Sequence, residues 1–146
     1  MLLLYNIGIA LYCLGLHLAA PFYPKVRQLV RGHRGALRQL RQAMRSCGSR
    51  KVVWFHCASL GEFEQGRPII EKLREQQPEA FILLTFFSPS GYNVRKAYAG
   101  ADYVSYLPLD LWWRARRFVR IASPSVAIFV KYEFWHHYFS TLKRQG

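Results

Sequence analysis

The chain is 146 residues long, 51% of them hydrophobic, and it carries a net charge of +13 at pH 7. Its three cysteines, Cys13, Cys47 and Cys57, are widely spaced and odd in number. That arrangement matches neither a disulfide framework nor a metal site, and it suits a reducing compartment. The charge is uneven, since the first 51 residues hold +9 and the remainder +4. A strongly basic amino-terminal segment points to an anionic partner.

Residues 1–20 are almost wholly apolar, interrupted only by Asn6 and His17. A helix needs about 20 apolar residues to cross a bilayer. An uncharged stretch followed by basic residues keeps the rest of a chain on the cytoplasmic side. We therefore expect a membrane anchor over residues 1–24, which either spans the bilayer or lies in it. The alternatives are a buried core helix and a cleaved signal peptide, although the latter carries its positive charge before the apolar run.

A purely basic segment follows, and we expect an amphipathic helix over residues 25–49. Six arginines alternate in steps of four and three, a spacing that places them on one helix face. They are Arg27, Arg31, Arg34, Arg38, Arg41 and Arg45, beside an apolar stripe of Val26, Val30, Leu37, Leu40 and Met44. Such a helix can turn its stripe toward acyl chains while its arginines meet lipid phosphates. A solvated helix packed on the domain and a nucleic-acid-binding helix are the alternatives.

Residues 50–146 alternate between strand and helix patterns. Strands are predicted at 51–57, 80–86, 103–106 and 126–130, and helices at 61–76, 90–99, 110–122 and 133–144, with Asp110 capping the third helix. Strands that are apolar throughout and alternate with helices indicate a parallel sheet covered on both faces. Ligands of such sheets bind beyond the carboxyl ends of the strands. That rule selects the loops at 57–62, 86–91, 107–110 and 130–133.

The first of these loops contains Ser59, Gly61 and Glu62. Ser59 is a candidate helix cap, and Gly61 permits a tight turn. Glu62, in the first turn of the helix, has two possible roles. It either complements the helix dipole or acts as a general base facing the crevice.

Two further loops carry polar groups. Ser88, Ser90 and Gly91 offer hydroxyls and amides at a helix start, which either bind an anion or make a plain turn. Lys131 and Glu133 form a charge pair beside large aromatic side chains. That pair is either part of a site or the salt-bridged start of a helix packed on the core.

Together these loops resemble the amino-terminal half of the transferases of 3-deoxy-D-manno-octulosonic acid (Kdo). Four motifs match in order. The matching residues are Ser59, Gly61, Glu62 and Pro68, then Thr85, Ser88, Ser90 and Gly91, then Tyr106, Leu107, Pro108 and Asp110, then Glu133 and Trp135. Two positions depart from the family pattern, because Lys131 replaces a glutamate and His136 replaces a proline.

The resemblance implies a GT-B glycosyltransferase of the inverting type, with two Rossmann-like domains facing across a cleft. This chain would be the acceptor-binding half, and a carboxyl-terminal domain that it lacks would bind the donor CMP-Kdo. Glu62 would be the catalytic base. The acceptor, the lipid A precursor lipid IVA, would be bound by residues of the same loops: Ser59, Gly61, Ser88, Ser90, Gly91, Lys131 and Glu133.

The resemblance also implies lipopolysaccharide biosynthesis at the cytoplasmic face of the inner membrane, in contact with anionic lipids. No cofactor, no metal and no nucleic acid are expected to take part. The isolated chain is expected to be inactive. Two other functions stay open, a non-catalytic basic membrane-binding module and a nucleic-acid-binding Rossmann-like domain.

Overall fold

Four parallel strands form the central sheet of the computed structural model, which describes residues 2–131 and 134–145. The strands are β1 (Val52–Cys57), β2 (Phe81–Phe86), β3 (Tyr103–Tyr106) and β4 (Val126–Phe129). They lie in the order β3-β2-β1-β4, so β1 and β2 are central. All three pairings are parallel, which confirms the predicted α/β class with a parallel sheet.

Six α-helices accompany the sheet in the described part of the chain. They are α1 (Leu2–Ala19), α2 (Pro24–Ala43), α3 (Leu60–Gln76), α4 (Pro89–Arg95), α5 (Trp112–Ala122) and α6 (His136–Gln145). A 3₁₀ turn at Met44–Ser46 extends α2. Three helices are shorter than their patterns predicted: α4 ends at Arg95, α5 begins at Trp112 and α6 begins at His136.

The sheet is buried on both faces. Every residue of β1 and β2 is buried, and alternate side chains point to opposite faces. On one face, Trp54 packs in a cluster with Phe118 of α5 and Tyr138 of α6. On the other, Phe55 packs in a cluster with Phe63 of α3. Burying each such aromatic side chain contributes about 1.5–3 kcal/mol, so these two clusters supply most of the domain's hydrophobic stabilisation.

Helix α2 is a layer of the domain. Its buried face consists of Leu29, His33, Ala36 and Leu40, spaced three to four residues apart. Leu40 lies in the cluster around Trp54, and Leu37 and Met44 pack against that cluster. The expectation that the apolar stripe faces lipid is therefore wrong for Leu40, which is fully buried in the core, whereas Leu37 and Met44 are half-buried beside it. The predicted limits of the three segments, at 24/25 and 49/50, stay a prediction.

Helix α1 contacts the domain along one side only. Ile9, Cys13 and Leu16 are half-buried, and no residue of the helix is fully buried. Its other side exposes a row of leucines, namely Leu2, Leu3, Leu4, Leu11, Leu14 and Leu18. By length and composition alone, α1 is apolar enough to cross a membrane. A helix that lies in the bilayer surface also exposes one apolar face to lipid while its opposite face contacts the protein, and α1 has this arrangement.

The buried imidazole of His33 makes the fold sensitive to acid. Its Nε2 donates to the carbonyl oxygen of Phe87 at 3.2 Å, and burial lowers the pKa of His33 to about 4. Unfolding restores an ordinary histidine pKa near 6.5, so the unfolded chain binds the proton more readily between these values.

We therefore expect the free energy of unfolding to fall as pH drops from about 6.5 to 4, by on the order of 3 kcal/mol. Urea unfolding at stepped pH measures it. His33→Gln, which retains a donor for Phe87, should flatten the dependence, whereas His17→Gln at an exposed position should not. An equally steep dependence in His33→Gln would assign the effect to other groups, such as His137, whose pKa burial also lowers.

Candidate functional site

The loops that follow the four strands meet at the carboxyl edge of the sheet. Backbone hydrogen bonds join neighbouring loops, since Ser88 N–H donates to Ala58 C=O at 2.8 Å and Leu107 N–H donates to Phe86 C=O at 2.8 Å. Val130 N–H donates to His56 C=O at 2.9 Å on the other side. The predicted loop residues are thus held on one edge, as the rule for parallel sheets requires.

The buried hydroxyl of Thr85 joins the two central strands just before this edge. Thr85 is fully buried, and its Oγ1 accepts from Trp54 Nε1 at 2.8 Å and lies 2.9 Å from His56 Nδ1. The same hydroxyl donates to the carbonyl oxygen of Phe55 at 3.3 Å. Thr85, a member of the second matched motif, therefore links β1 to β2 inside the sheet and is not exposed at the carboxyl edge. Buried polar groups satisfied in this way fix the position of the strands that carry them.

Glu62 lies in the first turn of α3, directly beyond the end of β1. Its Oε2 accepts from the backbone N–H groups of Ala58 and Ser59, the latter at 3.3 Å. Ser59 is the N-cap residue of α3, and this reach-back is the pattern of a capping box. Among the described residues, Oε1 accepts no hydrogen bond. The carboxylate is thus oriented through one oxygen while the other remains available, a geometry compatible with both predicted roles.

Gly61 has no packing reason to be a glycine. It lies in the first turn of α3, its φ is not positive, and a Cβ added to it would meet no atom within 4 Å. The predicted tight turn is therefore wrong, because the backbone there is ordinary helix. The missing side chain instead leaves open space beside Glu62.

The second loop contains Ser88, Ser90 and Gly91. Ser88 is the N-cap of α4, where its Oγ accepts from Ser90 N–H at 3.2 Å and lies 3.0 Å from Ser90 Oγ. Gly91 is buried, and a Cβ there would come within 2.2 Å of the Phe86 ring. Ser88 and Ser90 thus lie at the edge, whereas Gly91 serves close packing of α4 on β2.

Lys131 lies two residues after the end of β4 in a left-handed conformation, with φ of 70°, and its side chain is exposed. Such a conformation costs a non-glycine residue about 1 kcal/mol and is concentrated at functional sites. Glu133 lies outside the described residues. Trp135, which follows it, packs its ring against His56 and Phe87 at centroid distances of 5.4 and 5.3 Å.

Asp110 has a structural role that the sequence did not reveal. It is fully buried, and the N-cap position of α5 belongs to Leu111, so the predicted cap on α5 is wrong. Its carboxylate instead accepts from the backbone N–H groups of His137 and Tyr138, at 3.0 and 3.2 Å, at the start of α6. It also accepts from the Tyr5 hydroxyl of α1.

A cavity of about 420 Å³ lies between α1 and the carboxyl edge. Aromatic side chains dominate its walls, with Asp110 as the ionisable group. The lining residues are Tyr5, Ile9, Tyr12, Phe87, Leu109, Asp110, Phe134 and Trp135. Apolar rings around a few polar atoms are typical of sites for small organic ligands.

The six predicted arginines, five in α2 and Arg45 in the 3₁₀ turn after it, are all exposed. None of them forms an ion pair with a described residue, whereas Arg50, Arg74 and Arg95 pair with Asp102 or Glu64. Within residues 2–131 and 134–145, no group of three or more His, Cys, Asp or Glu side chains is placed to hold a metal.

A parallel α/β domain with a half-buried, oriented carboxylate at the carboxyl edge of its sheet defines a class that includes many transferases. The comparison with known proteins narrows that class. Residues 31–146 match the family model of the 3-deoxy-D-manno-octulosonic-acid transferases, so the chain belongs to the Kdo transferase family of glycosyltransferases.

Individual relatives agree. The chain is 37% identical to the 3-deoxy-D-manno-octulosonic acid transferase of Chlamydia muridarum over 102 residues, covering 68% of this chain and 24% of that protein. The enzyme of the same name from Aquifex aeolicus is 33% identical over 96 residues, covering 65% and 26%. That from Haemophilus influenzae is 31% identical over 91 residues, covering 62% and 21%. The chain thus spans about a quarter of the length of these relatives.

The two glycines of the matched motifs should respond oppositely to alanine. We expect Gly91→Ala to destabilise the domain by about 1–3 kcal/mol, because the new methyl overlaps the Phe86 ring. Gly61→Ala should leave stability unchanged or raise it by up to about 1 kcal/mol, since alanine favours a helix. Urea denaturation midpoints compare the two. Similar destabilisation by both would show that Gly61 has a packing role that its open surroundings do not account for.

Proposed function

We propose that this chain is the acceptor-binding half of an enzyme that transfers Kdo from CMP-Kdo to lipid IVA in lipopolysaccharide biosynthesis. The observation that carries the proposal is the family match over residues 31–146, with Glu62 oriented at the carboxyl edge of β1. We further propose that this enzyme has a GT-B architecture and inverts the configuration at the anomeric carbon, as the resemblance of its motifs implies. In this proposal, α1 is the apolar anchor, the arginines of α2 form the basic surface, and the loops at the carboxyl edge hold the acceptor.

Glu62 is the proposed general base. Its free oxygen, Oε1, takes the proton from a glucosamine hydroxyl of the acceptor. That hydroxyl oxygen forms a bond to the anomeric carbon of Kdo while the bond from this carbon to the CMP phosphate breaks, and CMP leaves. Proton transfer of this kind contributes about 10²- to 10⁴-fold to a rate. The capping bonds to Oε2 hold the carboxylate in one orientation, which such a transfer needs.

The remaining loop residues are proposed to position the acceptor. Gly61 leaves room beside the base, while Ser59, Ser88 and Ser90 offer polar groups at two helix starts. Lys131 and Glu133 would contact the sugar from the fourth loop. Gly91 is not proposed to contact the acceptor, and its contribution is the close packing of α4 on β2. The aromatic cavity between α1 and the edge would receive the part of the acceptor nearest the membrane.

The donor is proposed to bind a second Rossmann-like domain of the same parent protein, so that residues 1–146 alone do not transfer Kdo. The proposed reaction uses no cofactor and no metal, and nucleic acid is not a partner. Helix α1 and the exposed arginines of α2 would hold the domain at the cytoplasmic face of the inner membrane, against anionic lipids.

The base role is tested by Glu62→Gln in the parent protein that carries both halves. Glutamine retains an oxygen for the Ala58 and Ser59 amides, so the helix start should lose at most about 1 kcal/mol. It cannot accept the proton, so kcat should fall by about 10²- to 10⁴-fold with little change in acceptor affinity.

Glu75→Gln is the matched control, since it removes one charge from an exposed position at the far end of the same helix. It should leave kcat within about twofold. If Glu62→Gln retains near-normal kcat and only lowers the melting temperature, Glu62 is a capping residue and leaves the mechanism.

The membrane role of the arginine face is tested with vesicles. The triple variant Arg31→Glu, Arg34→Glu and Arg38→Glu should sediment much less with phosphatidylglycerol vesicles. Each basic residue near such a surface contributes about 1 kcal/mol to binding. Binding of the unaltered chain should also weaken with salt. Pure phosphatidylcholine vesicles are the control, to which α1 alone can attach. Equal sedimentation of variant and unaltered chain with both lipids would remove the arginines from membrane binding.

A further inference from the structure

A second cavity, separate from the aromatic one, has an unusual concentration of positive charge. It measures about 440 Å³ and lies between the end of α1, the middle of α2 and the start of α5. Five arginines line it, namely Arg34, Arg38 and Arg41 from α2, and Arg114 and Arg117 from α5. We call this cavity the α2–α5 groove. The α5 arginines were not singled out by the sequence, since they lie some 80 residues from the predicted stripe.

Among the described residues, no carboxylate pairs with the arginines of this groove. Its lining contains no Asp or Glu, and none of its five arginines forms an ion pair with a described residue. Like charges crowded on one concave surface repel each other and raise the local concentration of anions. Guanidinium groups bind phosphate oxygens in a bidentate manner, so several converging arginines favour a phosphate ligand.

The floor of the groove is apolar. Leu29, Leu37 and Leu109 line it, together with the ring of Trp113, over which the Arg114 guanidinium lies at 4.8 Å. His33 is also part of the wall, and its buried Nδ1 has no partner in the described chain. A charged rim over an apolar floor fits a molecule with a phosphate and a hydrocarbon portion better than a free anion.

The surroundings of the groove indicate where that molecule comes from. Leu16 of α1 forms one wall, so the groove adjoins the helix with the exposed leucine face. Trp112, next to the lining residue Trp113, is 60% exposed, and the connection between α1 and α2 exposes Phe22 and Tyr23 at 79% and 61%. Exposed Trp and Tyr beside basic residues are typical of the membrane–water interface. A lipid already in that interface can therefore enter the groove without leaving the membrane.

We propose that the α2–α5 groove is a discrete binding site for the phosphate headgroup of one anionic membrane lipid. The arginines of both helices hold the phosphate, and the first acyl carbons lie on Trp113 and the leucine floor. This site is separate from Glu62 and requires no sugar transfer, so it goes beyond the proposed function. It also differs from diffuse attraction to a charged surface, because it predicts saturation at one lipid per chain.

The test is calorimetric titration of the chain, in non-ionic detergent, with dihexanoyl-phosphatidylglycerol. We expect saturation at one lipid per chain. Arg114→Gln with Arg117→Gln, and separately Arg38→Gln with Arg41→Gln, should each weaken affinity at least about tenfold through lost charge-assisted bonds. Arg38 and Arg41 are exposed, so the second pair should melt like the unaltered chain, which separates lost binding from lost folding.

Arg116→Gln with Arg120→Gln is the matched control. It removes the same charge from α5 at exposed positions outside the groove lining, and it should change affinity less than twofold. If all three double variants weaken lipid affinity equally, the lipid is attracted by the overall charge of the chain, and the proposal is overturned. Inorganic phosphate that binds as tightly as the lipid would make this a site for free phosphate. A duplex RNA that binds through the same arginines while the lipid does not would assign the groove to nucleic acid.

Discussion

The buried carboxylate of Asp110 is the contact on which the arrangement of the edge depends. It accepts from two amides at the start of α6 and from Tyr5 of α1. A carboxylate at a helix start is favoured by the helix dipole, and a buried one must be hydrogen-bonded to be tolerated. Asp110 therefore places the loop after β3, the start of α6 and helix α1 relative to one another.

Contacts around Asp110 extend this arrangement. Asn6 Oδ1 lies 2.7 Å from His137 Nε2, and the Tyr138 hydroxyl donates to Pro108 C=O at 2.8 Å. Polar atoms of an otherwise apolar helix are thus used to dock it on the domain. This explains why a segment that reads as a membrane anchor contains Asn6, and it fixes α1 beside the aromatic cavity.

The distribution of charge divides the domain into two surfaces. Most of the carboxylates on α3 form ion pairs, as Glu64 does with Arg95, and Asp102 binds both Arg50 and Arg74. The arginines of α2 and the groove have no such partners among the described residues. Exposed ion pairs contribute little to stability, so this division has little to do with holding the fold together. It leaves one surface with a concentrated positive field that attracts anions.

Several features could be predicted because their signals are local. The unbroken apolar runs of β1 and β2 indicate strands buried on both faces, and the spacing of the α2 arginines indicates one exposed face. The position of Glu62 beyond a strand and in a first helical turn was likewise visible. The boundaries of α4 and α6 were less well defined, since helix ends depend on contacts that periodicity does not record.

Sequence alone determined the class of sheet, the carboxyl edge as the place of the site, the exposed arginine face and the family motifs, because periods of 2 and 3.6 and short motifs are properties of neighbouring residues. The tertiary structure decided that Leu40 faces the core, that Asp110 caps α6 instead of α5, and that Arg114 joins Arg38 in one groove. Each of these depends on contacts between distant segments. Which distant partner a side chain meets is set by the packing of whole elements, and local patterns carry no information about it.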